Sequence, residues 1–245
     1  MGFWELFIVN LKVIYRNRSG VFWTLVVPAV IYTAMAMLPL PNFGDPKYVY
    51  SDYLLSGIIA MVVLQGGIYT LAYWMVDLRA RGVIRRFQVT PLRKRDLILA
   101  VLCARATIAL AQAVLLTAIG TIFFDASLAG NSLLILLFVA LGSFIFLPLG
   151  LLVSTFANTY EAAAPVTAAI GLPFIFLGNI FYPVGILPDA LQWIALLLPT
   201  TYLADGLRTL YLEGYGPNLM FDAGILALWM IVLLILTTWR FKFRE

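Results

Sequence analysis

Six stretches of this chain carry no charged side chain at all: residues 19–44, 53–76, 106–124, 126–160, 162–188 and 223–239. Nothing else in the sequence constrains the fold as tightly. About 20 predominantly apolar residues suffice to cross a bilayer core as a helix, and inside hydrocarbon a helix satisfies its own backbone. Trimming the runs at proline, glycine and polar punctuation predicts six spans, near 21–38, 53–76, 99–123, 132–154, 162–182 and 220–239. With 63% of its 245 residues hydrophobic and 11% charged, the chain has more apolar surface than a soluble domain of this length can hide. The expectation is an all-α membrane protein, a single transmembrane domain over residues 1–245.

Where charge is scarce, its placement carries information. The stretch RARGVIRRFQVTPLRKR, residues 79–95, holds seven cations and no acid. With the N-terminus cytoplasmic, these seven join Lys12, Arg16, Arg18, Arg105, Arg240, Lys242 and Arg244 on the inner side. Only Lys47 and Arg208 remain outside, a ratio of fourteen to two. The positive-inside rule then predicts both termini in the cytoplasm and a multi-pass protein of the cytoplasmic (inner) membrane. Glu5, and the lack of a short apolar region ending in a small-residue cleavage site, predict no cleavable signal peptide.

Two further segments are apolar without being spans. Residues 1–20 carry charges throughout. On a helix, Glu5, Lys12 and Arg16 share one face while Trp4, Ile8, Leu11 and Tyr15 lie along another side, which predicts an interfacial helix. Residues 183–217, between spans five and six, are too apolar for an ordinary loop. Pro188 suits a helix start and Pro199 a stop, and a second piece from Thr201 or Tyr202 to Leu212 would end at Gly214. Two short outer helices that re-enter the membrane without crossing it are expected there.

Several chemistries are excluded or disfavoured. There is no histidine, and the one cysteine, Cys103, reads as small helix packing. His-based acid–base catalysis, disulfides and His or multi-Cys metal sites are therefore absent. No GxxxxGK[ST] phosphate loop occurs, so ATP is not bound by that route, and no GxSxG nucleophile elbow occurs. Every Asp and Glu falls at a predicted span end or in a loop. That disfavours an ion-coupled carrier or channel acting alone, the second class considered beside a membrane enzyme.

The basic stretch is more than a topology tag. Val83, Ile84 and Phe87 fall at helical spacing, and Thr90-Pro91 can cap and open a following helix. The reading is helix, corner, helix, suited to docking a partner. Topology and lipid contact alone would need the charges without that architecture. Nucleic acid is the weakest reading, because the segment is tethered to the membrane at both ends. Polar groups within the spans, Gln65, Tyr69, Tyr73, Gln112 and Asn179, are candidates for a translocation path or for interhelical hydrogen bonds. The first three recur at i, i+4 and i+8. Asp205 and Arg208, at i and i+3, read as an ion pair on an outer helix.

At DLRARGVIRRFQVTP the sequence resembles the cytoplasmic segment of ATP-binding-cassette type-2 exporter permeases, with Gly82, Thr90 and Pro91 in place. Asp77 alone keeps the usual acidic start, and Phe87-Gln88-Val89 replaces the usual Leu-Leu pair. NIFYPVGILPDALQWIALLLPTTYLADGLR resembles the same family's passage from span five into its outer helices. STFANTYEAA (154–163) resembles its short inner turn. The resemblance implies an ATP-driven export permease, two copies of which form the path while two separate ATPase subunits bind beneath. ATP and Mg would sit on that partner, with no cofactor or metal in this chain. It implies a coupling segment over 77–97, with docking residues Arg81, Gly82, Val83, Ile84, Arg85, Arg86, Phe87, Thr90 and Pro91, and Glu161 as an auxiliary contact. An acid at a helix N-terminus is also stabilising in its own right. Phe181, Tyr182, Pro183, Pro188, Pro199 and Tyr202 would form the outer gate. The implied cargo is an amphipathic or hydrophobic compound, with a lipid-linked polysaccharide as the alternative, and the remaining partners are membrane lipids.

Overall fold

A computed structural model describes residues 2–38, 49–83, 93–157 and 159–240, with backbone alone at Lys94 and Arg240. It is built of helices, with no strand among the described residues. Helix α1 (Phe3–Arg16) is followed at once by α2 (Arg18–Ala36). Next come α3 (Tyr50–Gln65), a π turn (Gly66–Leu71) and α4 (Ala72–Ala80), which together form one continuous helix. Then follow α5 (Lys94–Phe124), α6 (Ser132–Val153) with a closing 3-10 turn (Ser154–Phe156), and α7 (Tyr160–Leu177). Two short helices, α8 (Asp189–Leu197) and α9 (Pro199–Leu212), precede the last, α10 (Leu219–Arg240).

Six helical segments are long and apolar enough to cross a membrane, running 18–36, 50–80, 95–124, 132–156, 160–177 and 219–239. They coincide with the six expected spans except at certain ends. Asn17 breaks the leader and its side-chain oxygen accepts the Gly20 N–H at 3.1 Å, so a new helix begins at Arg18. The leader helix therefore covers residues 3–16 rather than 1–20. Span five stops at Leu177 instead of 182, because Gly178 leaves helical geometry and Asn179 turns left-handed at φ 59°. Pro199 stops α8, which ends at Leu197 with Leu198 extended before the proline, and it also opens α9 at its first position, where its missing N–H costs nothing.

Span two is the hub. Every residue from Leu54 to Leu64 is buried, against α2, α5, α6, α9 and the turns around Ile180. The outer helices α2, α7 and α10 leave most of their apolar surface open. Lipid tails are as apolar as leucine, so close backbone approach carries much of the packing. One such approach is where the π turn crosses α6. A Cβ placed on Gly67 would overlap the Phe146 carbonyl, and one on Gly150 would overlap the Gly67 carbonyl oxygen.

Helix α1 packs chiefly on α5. Leu6, flanked by Phe3 and Phe7, packs on Leu97, Val101, Leu71 and Met75, while Trp4, Ile8 and Tyr15 stay exposed. Glu5, Lys12 and Arg16 are exposed as expected.

Candidate functional site

At the basic end of the bundle two turns meet. Helix α4 closes with the Arg81 N–H donating to the Asp77 carbonyl (3.0 Å) and the Gly82 N–H to the Arg79 carbonyl (2.9 Å). Gly82 then takes φ 64°, a left-handed conformation that costs a residue with a Cβ about 1–2 kcal/mol. Arg81 is exposed and pairs with Asp77 at 2.8 Å, a surface contact that contributes little to stability. Val83 is the last described residue here. Ile84, Arg85, Arg86, Phe87, Thr90 and Pro91, with the Thr-Pro corner, lie outside the described residues.

Arg79 behaves differently from Arg81, Arg93 and Arg95, which are exposed. Its guanidinium turns inward, donating from Nη1 to the Ser154 carbonyl (2.5 Å) and from Nη2 to Ser154 Oγ (3.5 Å). It thereby caps the end of span four, where a cation is favoured by the helix dipole. Val76, Ala157 and Ala163 are buried together beneath it, and the Tyr73 ring lies 5.3 Å from that of Tyr160. Thr159 accepts the Ala162 N–H (3.2 Å) to start α7, leaving Glu161 exposed in the first turn. Two motifs 75 residues apart in sequence, at Arg79 and Ser154, thus form one surface.

The five polar candidates within the spans do not converge on one channel of this subunit. Tyr69 packs its hydroxyl end on Gly171 of α7, and Tyr73 faces the start of the same helix. The register from Gln65 to Tyr73 includes an i→i+5 turn, marked by Thr70 Oγ1 donating to the Gln65 carbonyl (3.4 Å). Gln112 looks the other way: buried between α5 and α2, it donates its amide to the Thr24 carbonyl at 2.6 Å. Asn179 lies at the opposite end of the molecule from Tyr73.

Asn179 is the centre of a polar cluster. Its Oδ1 accepts from the Tyr53 hydroxyl (2.5 Å) and its Nδ2 donates to Asp205 Oδ1 (2.5 Å). Arg208 donates to the same carboxylate oxygen (2.8 Å) and to the Asn179 carbonyl (3.0 Å), with its guanidinium 3.5 Å above the Tyr53 ring. Burial pushes the Asp205 carboxyl above its ordinary value, and the Arg208 charge offsets only part of that. The helical ion pair that the sequence suggested is therefore one edge of a network joining span two, the turn after span five and α9. Tyr53 was missed, although the Tyr50/Tyr53 pair at i, i+3 on an apolar helix was its visible signal.

The gate candidates surround this cluster. The Tyr50 hydroxyl donates to the Phe181 carbonyl (3.3 Å), and the Phe181 ring lies 6.4 Å from that of Phe176. Tyr182 and Pro183 continue the turn, Pro188 caps α8, and buried Pro199 opens α9. Tyr202 donates its hydroxyl to the Leu196 carbonyl (2.6 Å) and sets its ring 6.3 Å from Phe221. Among the described residues, no three His, Cys, Asp or Glu side chains gather to hold a metal ion.

A helical bundle with six candidate spans and two short helices before the last defines a polytopic membrane protein. Residues 39–239 match the pattern of the ABC-2 family transporter proteins, and the chain belongs to that family. It is 25% identical over 200 residues to YvfS of Bacillus subtilis (strain 168), which is named as a transport permease, covering 81% of each chain. The Escherichia coli (strain K12) inner membrane transport permease YadH is 24% identical over 237 residues, or 93% of this chain and 92% of YadH. YbhR of the same organism, named as a multidrug ABC transporter permease, is 22% identical over 201 residues. The match spans 82% of this chain but about half of YbhR, at 54%. The protein is thus an ABC-2 type permease, multi-pass in the inner membrane.

Proposed function

We propose that this permease exports an amphipathic or hydrophobic compound, powered by a separate ATPase subunit that docks on the basic end. Two copies of the chain form the path and two ATPase subunits bind beneath, with ATP and Mg held by the ATPase. Both termini are cytoplasmic, α1 lies along the inner leaflet, and α8 and α9 re-enter the outer leaflet as the outer gate. Residues 77–97 are the coupling segment, with Glu161 beside it, and Gln65, Tyr69, Tyr73, Gln112 and Asn179 serve the path of the dimer. Residues 1–245 act as one transmembrane domain. The multidrug name of YbhR supports an amphipathic cargo over a lipid-linked polysaccharide.

The observation that carries the docking reading is the Arg79–Ser154 contact, backed by the Tyr73–Tyr160 pair. A push on the coupling segment would move the inner ends of spans two, four and five together. Because span two is buried along its length, that motion would reach Tyr53 and the outer cluster. Replacing Arg85, Arg86 and Phe87 together by alanine should detach the ATPase in co-purification and abolish ATP-dependent transport, while the permease still folds and inserts. Undiminished ATPase association and transport in that variant would overturn the docking reading.

A further inference from the structure

Beside the proposed docking face, a pocket of about 320 Å³ opens between the α1–α2 corner, the π turn and α5. Its walls are largely apolar, from Val13, Ile14, Val21, Leu25 and Ile108, and one cation, Arg105, lines it. Among the described residues the lining contains no Asp or Glu. Arg105 is partly buried, and none of its hydrogen bonds or ion pairs goes to a described residue, in contrast to Arg79, Arg81 and Arg208, which are all engaged. The other polar groups nearby are already committed. Asn10 donates to the Leu6 carbonyl, Asn17 caps α2, and Gln112 holds the Thr24 carbonyl.

A half-buried guanidinium among apolar walls, with no counterion among the described residues, is costly, because a partly desolvated charge needs a partner. The pocket supplies room for one. Its lining on α5 extends from Val101 to Gln112, about 16 Å along the helix at 1.5 Å per residue. Arg105 is toward one end of that length and the apolar wall from Ile108 to Ala111 continues past it. A cation at the edge of an apolar slot matches an anion with a hydrocarbon tail. Position agrees: Arg105 directly precedes the uncharged run 106–124, so it stands where hydrocarbon gives way to headgroups, level with the interfacial leader.

We propose that this pocket binds the phosphate of an anionic phospholipid, with Arg105 as its counterion and the α1–α2 corner as its lid. Occupancy would hold α1 against α5. The pocket shares Gln112 with the proposed path, so its test reads lipid retention, which depends on neither cargo nor ATPase.

The full-length permease is purified from nanodiscs of palmitoyl-oleoyl phosphatidylglycerol and phosphatidylcholine in equal amounts. Retained lipid is then read by native mass spectrometry. Phosphatidylglycerol should be kept over phosphatidylcholine by about tenfold, the ratio that one charge-assisted contact of about 1.4 kcal/mol supplies. Arg105→Gln should abolish the preference and Arg105→Lys should keep most of it. A second variant guards against a folding defect. Gly66 faces the pocket, and a Cβ there meets nothing within 4 Å, so Gly66→Leu fills the slot without a backbone clash. It should expel the lipid while Arg105 remains. Equal retention of both lipids by the unaltered protein, or an unchanged preference in Arg105→Gln, would overturn the proposal. So would full displacement of phosphatidylglycerol by inorganic phosphate alone, which would make this a free-ion site. Loss of self-association in Arg105→Gln with no change in lipid retention would show an interface between copies and overturn it too.

Discussion

The Asp205 carboxylate is held by two donors, yet burial still raises its pKa, so its proton affinity is higher in the folded than in the unfolded chain. The sign follows from linkage. A carboxyl whose folded pKa is raised contributes stability while protonated, and that contribution is lost as pH rises from the unfolded value near 4 through the raised one. Thermal stability of the purified protein should therefore fall across that window relative to Asp205→Asn, and the two curves should run parallel above it. The difference should be shallow, since 41% of the side chain is open to solvent. A wild-type curve that rises relative to the variant over the same range would show the opposite shift. Arg208 is the more consequential residue. It serves the carboxylate, the Asn179 carbonyl and the Tyr53 ring at once, and only 13% of its side chain is exposed. Arg208→Leu should cost about 2 kcal/mol, more than Asp205→Asn, because it strands a partly buried carboxylate. Unfolding of both variants at neutral pH measures the order.

Among elements, the π turn separates two adjacent glycines into opposite roles. Gly66 looks into open space and Gly67 abuts the backbone of span four. Gly66→Ala should be neutral or stabilising by up to about 1 kcal/mol, from reduced backbone freedom in the unfolded chain. Gly67→Ala should cost about 1–3 kcal/mol, because the Phe146 carbonyl cannot move aside as a side chain would. Melting both variants in the same detergent decides the matter, and equal midpoints would mean that the spans do not cross here. None of this was legible beforehand. The pair Gly66-Gly67 reads the same in a π turn as in an α-helix, and the choice of which one packs depends on Phe146 and Gly150, some 80 residues away. Separation in sequence also hid the Asn179 cluster, whose parts come from span two, the turn after span five and α9. What local chemistry decides was readable: Pro188 and Pro199 marked the short outer helices, and Glu161 marked the first turn of span five.

At the scale of the whole molecule, the six spans were visible because hydrocarbon leaves so few alternatives. An uncharged run of this length must be a helix, and only its last turn depends on neighbours. Asn17 and Asn179 shifted two of those ends by side-chain capping and a left-handed turn, which hydropathy does not register. Orientation is a different kind of inference, resting on fourteen cations against two. Helix α5 makes it testable. Its 31 residues span about 46 Å, more than the thickness of the hydrocarbon core, so the residues flanking its two ends face opposite sides. Arg93 and Ser127 are both exposed there, and Cys103 is the only cysteine to remove. In a Cys103→Ala background, Ser127→Cys should react with a membrane-impermeant maleimide in intact spheroplasts. Arg93→Cys should react only after lysis. The reverse pattern would invert the topology and move the basic platform to the outside, where no ATPase could reach it. Labelling of both positions from one side would mean that α5 does not cross at all.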